Sequence, residues 1–328
     1  MAPIVLSTVL LGCNGAATNT TTSDGTTPET DLPHVAVTQI VEHPALDAVR
    51  DGLKDKLKEE GYDADGGSLQ WTWESAQGQP ATATQIAQKF VGDNPDLIVA
   101  IATPSAQAVV GATDAIPVVF SAVTDPVGAQ LVSNLKTPGG MVTGVSDLSP
   151  VDEHVELMTD IIPDATTIGV IYNAGEANSV SLVELLNAAA RFQGFLVEEV
   201  TVSNSSEVVT AAASLVGRVD AIYVPTDNTV VSALESVIKV GNDNQLPVFA
   251  GDTDSVERGA IATASFDYYE VGRQTGTLVT RILQGETPGD IPVELAETVD
   301  LAVNLVAAEA MGVTIPDELK DRADQVFK

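Results

Sequence analysis

From His34 onward, short runs rich in β-branched and apolar residues alternate with longer stretches whose apolar positions recur every three or four residues. Val35–Ile40 (VAVTQI) reads as a strand. Pro44–Glu60 then places Leu46, Val49, Leu53 and Leu57 on one helical face. Pro44 suits a first helical position and Gly61 a stop just past the last. The same pattern predicts strands at Leu69–Trp73, Leu97–Ala102 and Val118–Ala122, with helices at Ala81–Val91 and Pro104–Gly111 between them. Such alternation implies right-handed crossovers and a parallel sheet covered on both faces.

The second half repeats the order. Strands are predicted at Ile168–Tyr172, Val197–Val202, Ala221–Val224 and Val248–Ala250, and helices at Asn178–Gln193, Glu207–Val216 and Thr229–Val240. Local matches support the repetition: Asp96–Ala100 (DLIVA) parallels Asp220–Val224 (DAIYV), and each precedes a threonine, Thr103 or Thr226, that opens a helix. The fold class expected is α/β, with two doubly wound, Rossmann-like lobes. The chain is expected to cross between them at Met141–Pro150, near Ile261–Phe266 before a helix Tyr268–Leu283, and before a strand Thr298–Asn304. Residues 34–147 with 263–292 would form one lobe, and 148–262 with 293–328 the other. Three crossings make a hinge and leave the loops of both sheets facing one cleft.

Charge narrows the partners. The 328 residues carry 15 basic and 46 acidic side chains, a net charge of −31, so no basic stripe exists to neutralise a phosphate backbone or an anionic membrane surface. With one cysteine, Cys13, and three histidines, neither an internal disulfide nor a Cys/His metal site is expected, and no cofactor is implied. Ahead of the globular part, Ala2–Gly12 is uncharged and mostly apolar, too short to span a bilayer but suited to the apolar region of a secretory signal. Leu10-Leu11-Gly12-Cys13 resembles the bacterial lipobox, which makes Cys13 the expected lipidation site. The basic residues that usually precede such a run are absent, so the true start is expected further upstream. Residues 14–33, rich in Thr, Asn, Gly and Ser, read as a flexible tether. The expectation is an extracytoplasmic, lipid-anchored monomer.

Ligands of open α/β sheets bind beyond the carboxyl ends of the strands. Here those ends carry Gln39, Glu42, Ser75, Thr103, Ser105, Thr124, Asp125, Asn173, Glu176, Asn178, Thr226, Asp227 and Asp252, the candidate ligand-binding set. Any one of them also reads as a helix cap, and His43 beside Pro44 reads as a helix start. Their convergence favours binding. A helix N-terminus opened by Thr103 and Ser105 suits an anion such as a carboxylate, and Asp252 or Asp227 on the facing lobe suits an ammonium, so the pair suits a zwitterion. Trp71, Trp73, Tyr172 and Phe120 are candidates for an apolar wall. Catalysis is not favoured: G-x-S-x-G, P-loop and G-x-G-x-x-G signatures are absent, and nothing fixes the spacing of Glu42, Asp125, Asp227 and Asp252 as a carboxylate pair.

Several stretches resemble the TrpX-like family of ABC-importer substrate-binding lipoproteins: Gln39–Asp47 (QIVEHPALD), Ala100–Pro104 (AIATP), Ala122–Gly128 (AVTDPVG), Gly144–Asp147 (GVSD), Glu176–Ser179 (EANS), Tyr223–Asn228 (YVPTDN) and Phe249–Asp252 (FAGD). The resemblance implies a type I periplasmic-binding fold. It further implies capture of a small ligand, an aromatic or other apolar amino acid, and its delivery to an ABC permease driven by a separate ATPase. Ser75 departs from the asparagine usual in such relatives. A ligand-sensing module of the same fold, as in LacI-like repressors, is the alternative. That reading needs a basic helix-turn-helix ahead of the core, where this chain has an apolar run and a threonine-rich tether.

Overall fold

The computed structural model describes residues 32–297 and 299–328. Cys13, the apolar run and the tether up to residue 31 lie outside the described residues, as does Thr298.

The chain opens with β1 (His34–Gln39), α1 (Pro44–Glu59), β2 (Gln70–Ser75), α2 (Pro80–Asp93), β3 (Leu97–Ile101), α3 (Thr103–Val110), β4 (Val118–Ser121) and β5 (Val142–Ser146). Then follow α4 (Val151–Ile161), β6 (Thr167–Tyr172), α5 (Ala177–Gln193), β7 (Leu196–Thr201), α6 (Val208–Leu215), β8 (Ala221–Val224), α7 (Asn228–Val231), α8 (Leu234–Asn244), β9 (Val248–Ala250) and α9 (Thr253–Glu257). The last stretch holds β10 (Ala262–Phe266), α10 (Tyr268–Leu283), β11 (Glu294–Leu295), β12 (Val299–Asn304), α11 (Leu305–Ala310), α12 (Asp317–Arg322) and β13 (Gln325–Phe327).

The first sheet is parallel throughout, in the order β2-β1-β3-β4-β5-β11, and the second repeats that beginning as β7-β6-β8-β9. Strand order therefore reverses between β1 and β3 in one lobe and between β6 and β8 in the other. At such a point the flanking crossovers leave the sheet on opposite sides and open a crevice at the strand ends. A third sheet, β10-β12-β13, pairs β10 antiparallel with β12. Two apolar cores fill the lobes. One is drawn from residues between Val35 and Val145 together with Phe266 to Val293, the other from Val151 to Ala262 together with Ala302 to Leu319.

Burial follows chemistry in the strands. β3 (LIVAI) and β8 (AIYV), central in their sheets, are buried along their whole length, as continuous apolar runs covered on both faces must be. Helix α10 lies along α1 with almost no spacing between backbones: a Cβ on Gly272 would stand 2.0 Å from the Val49 carbonyl oxygen, and one on Gly52 would stand 2.0 Å from that of Tyr269. This contact fixes α1, and with it the loop before it, against the segment that returns from the second lobe.

The stretch Thr229–Val240, expected as one helix, is two. Ala233 (φ −125°, ψ 24°) leaves the helical region between α7 and α8. No proline or glycine marks the break. The reason lies outside the segment, in side chains of neighbouring loops that hold α7 by its first turn, as described next. Helix α4, begun by Val151 directly after Pro150, and the short β11, α11, α12 and β13 were not read from the sequence; each is brief or follows a chain crossing where periodicity is interrupted.

Candidate functional site

At the strand ends the segments β1–α1, β3–α3, β4–β5 and β5–α4 face β6–α5, β8–α7 and β9–α9. Between them lies a cavity of about 350 Å³, space open to solvent included. Thr103, Thr124, Asn178, Thr226 and Asp252, all expected from the sequence, line it. So do His43, Ala45, Leu46, Ala102, Ala122, Asp147, Asn228, Val231 and Tyr268, which the candidate set did not include.

Backbone conformation shapes the first-lobe wall. Ala102, between β3 and α3, adopts φ 73° and ψ 154°, a region otherwise left to glycine, and Ala122, after β4, has φ 52°. Both turn the chain sharply at a strand end, so that α3 begins at the cavity. Its first residue, Thr103, is 1% exposed and its hydroxyl has no hydrogen-bond partner. Ser105 is likewise buried with an unpartnered hydroxyl but does not line the cavity. From the facing lobe, the Thr226 hydroxyl and the Asn178 carbonyl oxygen are also buried and unpartnered. Orphaned polar atoms are rare in folded interiors, and Thr103, Asn178 and Thr226 bring three of them to one cavity.

Two carboxylates supply the charge. Asp147 follows β5; its oxygens accept from Thr124 Oγ1 at 3.3 Å and from Tyr268 Oη at 2.9 Å. Asp252 caps α9, accepting from Ser255 N and Ser255 Oγ at 2.7 Å each. Burial is the chief cause that raises both above the usual carboxylate range, and the charge of Asp252 adds to the shift of Asp147. Among the described residues neither forms an ion pair. Two desolvated acids without an ion-pair partner among the described residues, Asp252 feeling only the more distant Arg258 charge, stand beside a helix N-terminus and free hydroxyls and suit a molecule with both an ammonium and a carboxylate.

The structure gives other expected residues different work. Glu176 accepts from the N and Nδ2 of Asn228 and from the N and Oγ1 of Thr229, at 2.6 to 3.1 Å. Asp227 accepts from Val230 N, Asn173 N and Ser179 Oγ, at 2.8, 2.6 and 2.6 Å. Together they pin α7 by its N-terminus, which is why it stands apart from α8. Burial, and then the nearby Glu176 charge, push Asp227 up to about 7. Asn173, Glu176 and the exposed Glu42 line an outer groove that shares Asn228 with the cavity. Gln39 is tied to Asp47, Arg50 and the Val41 carbonyl, and Ser75 accepts from Gln77 N. Asp125 accepts from Gly128 N at 2.8 Å and reaches Ser181 of the other lobe at 3.4 Å. Gln39, Ser75, Asp125 and Asp227 thus serve loops and caps and do not line the cavity.

The aromatic wall is also placed elsewhere. Phe120 is fully buried in the core, Trp73 stacks with the Arg50 guanidinium at 4.7 Å, and Tyr172 donates to Glu199 at 2.8 Å. Trp71 packs against the first core. Ala45, Leu46, Ala102, Ala122, Val231 and the ring of Tyr268 form the apolar lining instead. Asp147 and Tyr268 could have been suspected from sequence, since each sits where a predicted crossing meets a lobe.

The sequence matches the family of ABC transporter substrate binding proteins over residues 34–327. It is 40% identical over 305 residues to the tyrosine-binding protein of Clostridioides difficile (strain R20291), spanning 93% of this chain and 88% of that one. A solved ABC domain in complex with L-Trp from Streptococcus pneumonia is 36% identical, with a TM-score of 0.87 over 90% of this chain and 100% of the other. The ligand-free, open structure of a Clostridium difficile substrate binding protein with adhesive properties is 41% identical, at a TM-score of 0.68 over 90% and 100%. The fold is that of type I periplasmic binding proteins, and the chain belongs to the ABC transporter substrate-binding protein family.

Proposed function

We propose that the protein captures an aromatic L-amino acid between its lobes and presents it to an ABC permease, without transforming it. The cavity between the lobes carries the reading: it is bounded by both, holds two buried carboxylates that form no ion pair among the described residues, and is otherwise lined in large part by small apolar side chains and unpartnered hydroxyls. In this reading Asp147 and Asp252 hold the ammonium, the start of α3 with Thr103 and the facing Thr226 holds the carboxylate, and Leu46 and Val231 contact the ring. The relatives support the ligand class, since one is a tyrosine-binding protein and another was solved with L-Trp.

Closure removes water from the ammonium and both acids at once, which strengthens their attraction. Calorimetry with L-tyrosine, L-tryptophan and non-aromatic amino acids, paired with solution scattering, tests the proposal. Saturable binding of the aromatic ligands with a smaller radius of gyration is expected; binding of only non-aromatic solutes, or turnover of a bound one, would overturn it. Anchoring through Cys13 belongs to the same proposal and places the protein outside the cytoplasm, acting as a monomer. Cys13→Ser is expected to release it from membranes into the soluble fraction, and continued sedimentation with lipid would remove the anchor.

A further inference from the structure

One lining residue has no part in holding the amino-acid head group. His43, the N-cap of α1, lines the cavity, and its Nδ1 is buried without any hydrogen-bond partner. As a residue it is half-buried, but its ring is enclosed by the other lobe, where Asn228 and Arg258 stand close by. Burial first, and then the Arg258 charge, lower it to about 4, so the ring is neutral near pH 7 and one nitrogen is a donor while the other is an acceptor.

Nδ1 is the ring nitrogen left buried without a partner. Asn228, which lines the same cavity, has its amide nitrogen committed to Glu176 Oε2 at 2.6 Å and has only its carbonyl oxygen to offer the ring, which suits a proton on Nε2 and a lone pair on Nδ1. The cavity lining includes the apolar Leu46 and Val231. A buried acceptor of this kind favours a ligand that brings a donor to it.

Resting on the aromatic amino-acid reading, we propose that His43 Nδ1 accepts a hydrogen bond from the ligand's ring substituent, the tyrosine hydroxyl or the tryptophan indole N–H, and thereby selects against phenylalanine. Phenylalanine fits the same volume but leaves Nδ1 unpaired. Wild-type protein is expected to bind tyrosine at least about 10-fold more tightly than phenylalanine or 4-fluorophenylalanine, which is close to tyrosine in size but has no donor. His43→Leu should lose tyrosine affinity by about 10-fold or more and keep that for phenylalanine, bringing the ratio near one. His43→Asn, whose carbonyl oxygen stands near the position of Nδ1, should restore part of the preference.

Calorimetry of the wild type with tyrosine, tryptophan, phenylalanine and 4-fluorophenylalanine needs no variant to fold. Equal affinity for tyrosine and 4-fluorophenylalanine would overturn the assignment and leave the aromatic reading standing. So would a folded His43→Leu variant that loses all aromatic ligands equally, which would give His43 a role in closure. If none of the aromatic amino acids binds the wild type, the aromatic reading itself falls, and the assignment with it.

Discussion

The Tyr268 hydroxyl donates to Asp147 Oδ2 at 2.9 Å, joining residues 121 positions apart. Asp147 ends the first crossing between lobes and Tyr268 begins the helix after the second, so this one bond ties the hinge to the cavity. The donor also opposes the effect of burial on Asp147, since a hydrogen bond to a carboxylate favours its charged form. Tyr268→Phe should therefore raise Asp147 further. Binding that needs Asp147 charged should weaken at a higher pH than in the wild type. Tyrosine titrations from pH 7.5 down to 5 test this, and superimposable pH profiles would sever Tyr268 from ligand binding.

Asp252 serves two purposes that one substitution separates. Its carboxylate caps α9 through Ser255 N and lines the cavity. Asparagine keeps an oxygen for the cap but discards the charge, so Asp252→Asn should hold stability within about 1 kcal/mol of wild type. Ligand affinity should fall by about 2 to 5 kcal/mol, the cost of removing one partner from a buried charge pair. Urea unfolding together with calorimetry reads both quantities. Unchanged affinity in the stable variant would leave Asp252 a cap alone.

The close seat of α10 on α1 makes a prediction about stability. With the Val49 carbonyl oxygen 2.0 Å from where the new Cβ would stand, Gly272→Ala cannot be accommodated by turning a side chain; two helix backbones must separate. Overpacking of this kind costs about 1 to 3 kcal/mol, and contact with backbone places it at the upper end. Chemical denaturation should show a midpoint lowered accordingly. A neutral Gly272→Ala would mean the helices are not held at this distance in solution.

What could be read from the sequence divides along physical lines. Elements whose signal is local, such as the buried run Leu97–Ile101 or the helix opened by Pro44, stand within a residue or two of their expected places. The pairing of Thr103 with Thr226 was legible because both end homologous strands and both line the cavity. The work of Glu176 and Asp227 was not legible for the opposite reason. A carboxylate after a strand caps a helix or meets a ligand with equal ease, and it is the approach of Asn228 and Thr229 from another loop to Glu176, and of Asn173 and Ser179 to Asp227, that engages these two with the first turn of α7 and its surroundings. The broken helix at Ala233 and the aromatic wall fall in the same class, each decided by neighbours far away in sequence.

His154 offers a test of the second core by pH. It accepts at Nδ1 from Tyr223 Oη at 2.8 Å and donates from Nε2 to the Ala264 carbonyl at 2.7 Å, bridging the core to hinge strand β10. Only a neutral ring can accept at Nδ1, and burial lowers its pKa from 6.5 to about 4. The unfolded chain therefore takes up this proton first as pH falls, and the stability contributed at neutral pH is lost progressively between about 6.5 and 4. A shift of this size corresponds to about 3 kcal/mol. Asp227 and Asp254, both raised to about 7, act with the opposite sign over much of that window, so wild-type stability alone does not isolate the histidine. The difference between wild type and His154→Gln does, because the carboxylates cancel. The variant should be less stable at pH 7.5, and its deficit should shrink by about 3 kcal/mol by pH 4. A deficit that stays constant across that range would mean His154 keeps an ordinary pKa in the folded protein and is not held as the neutral acceptor of the Tyr223 hydroxyl.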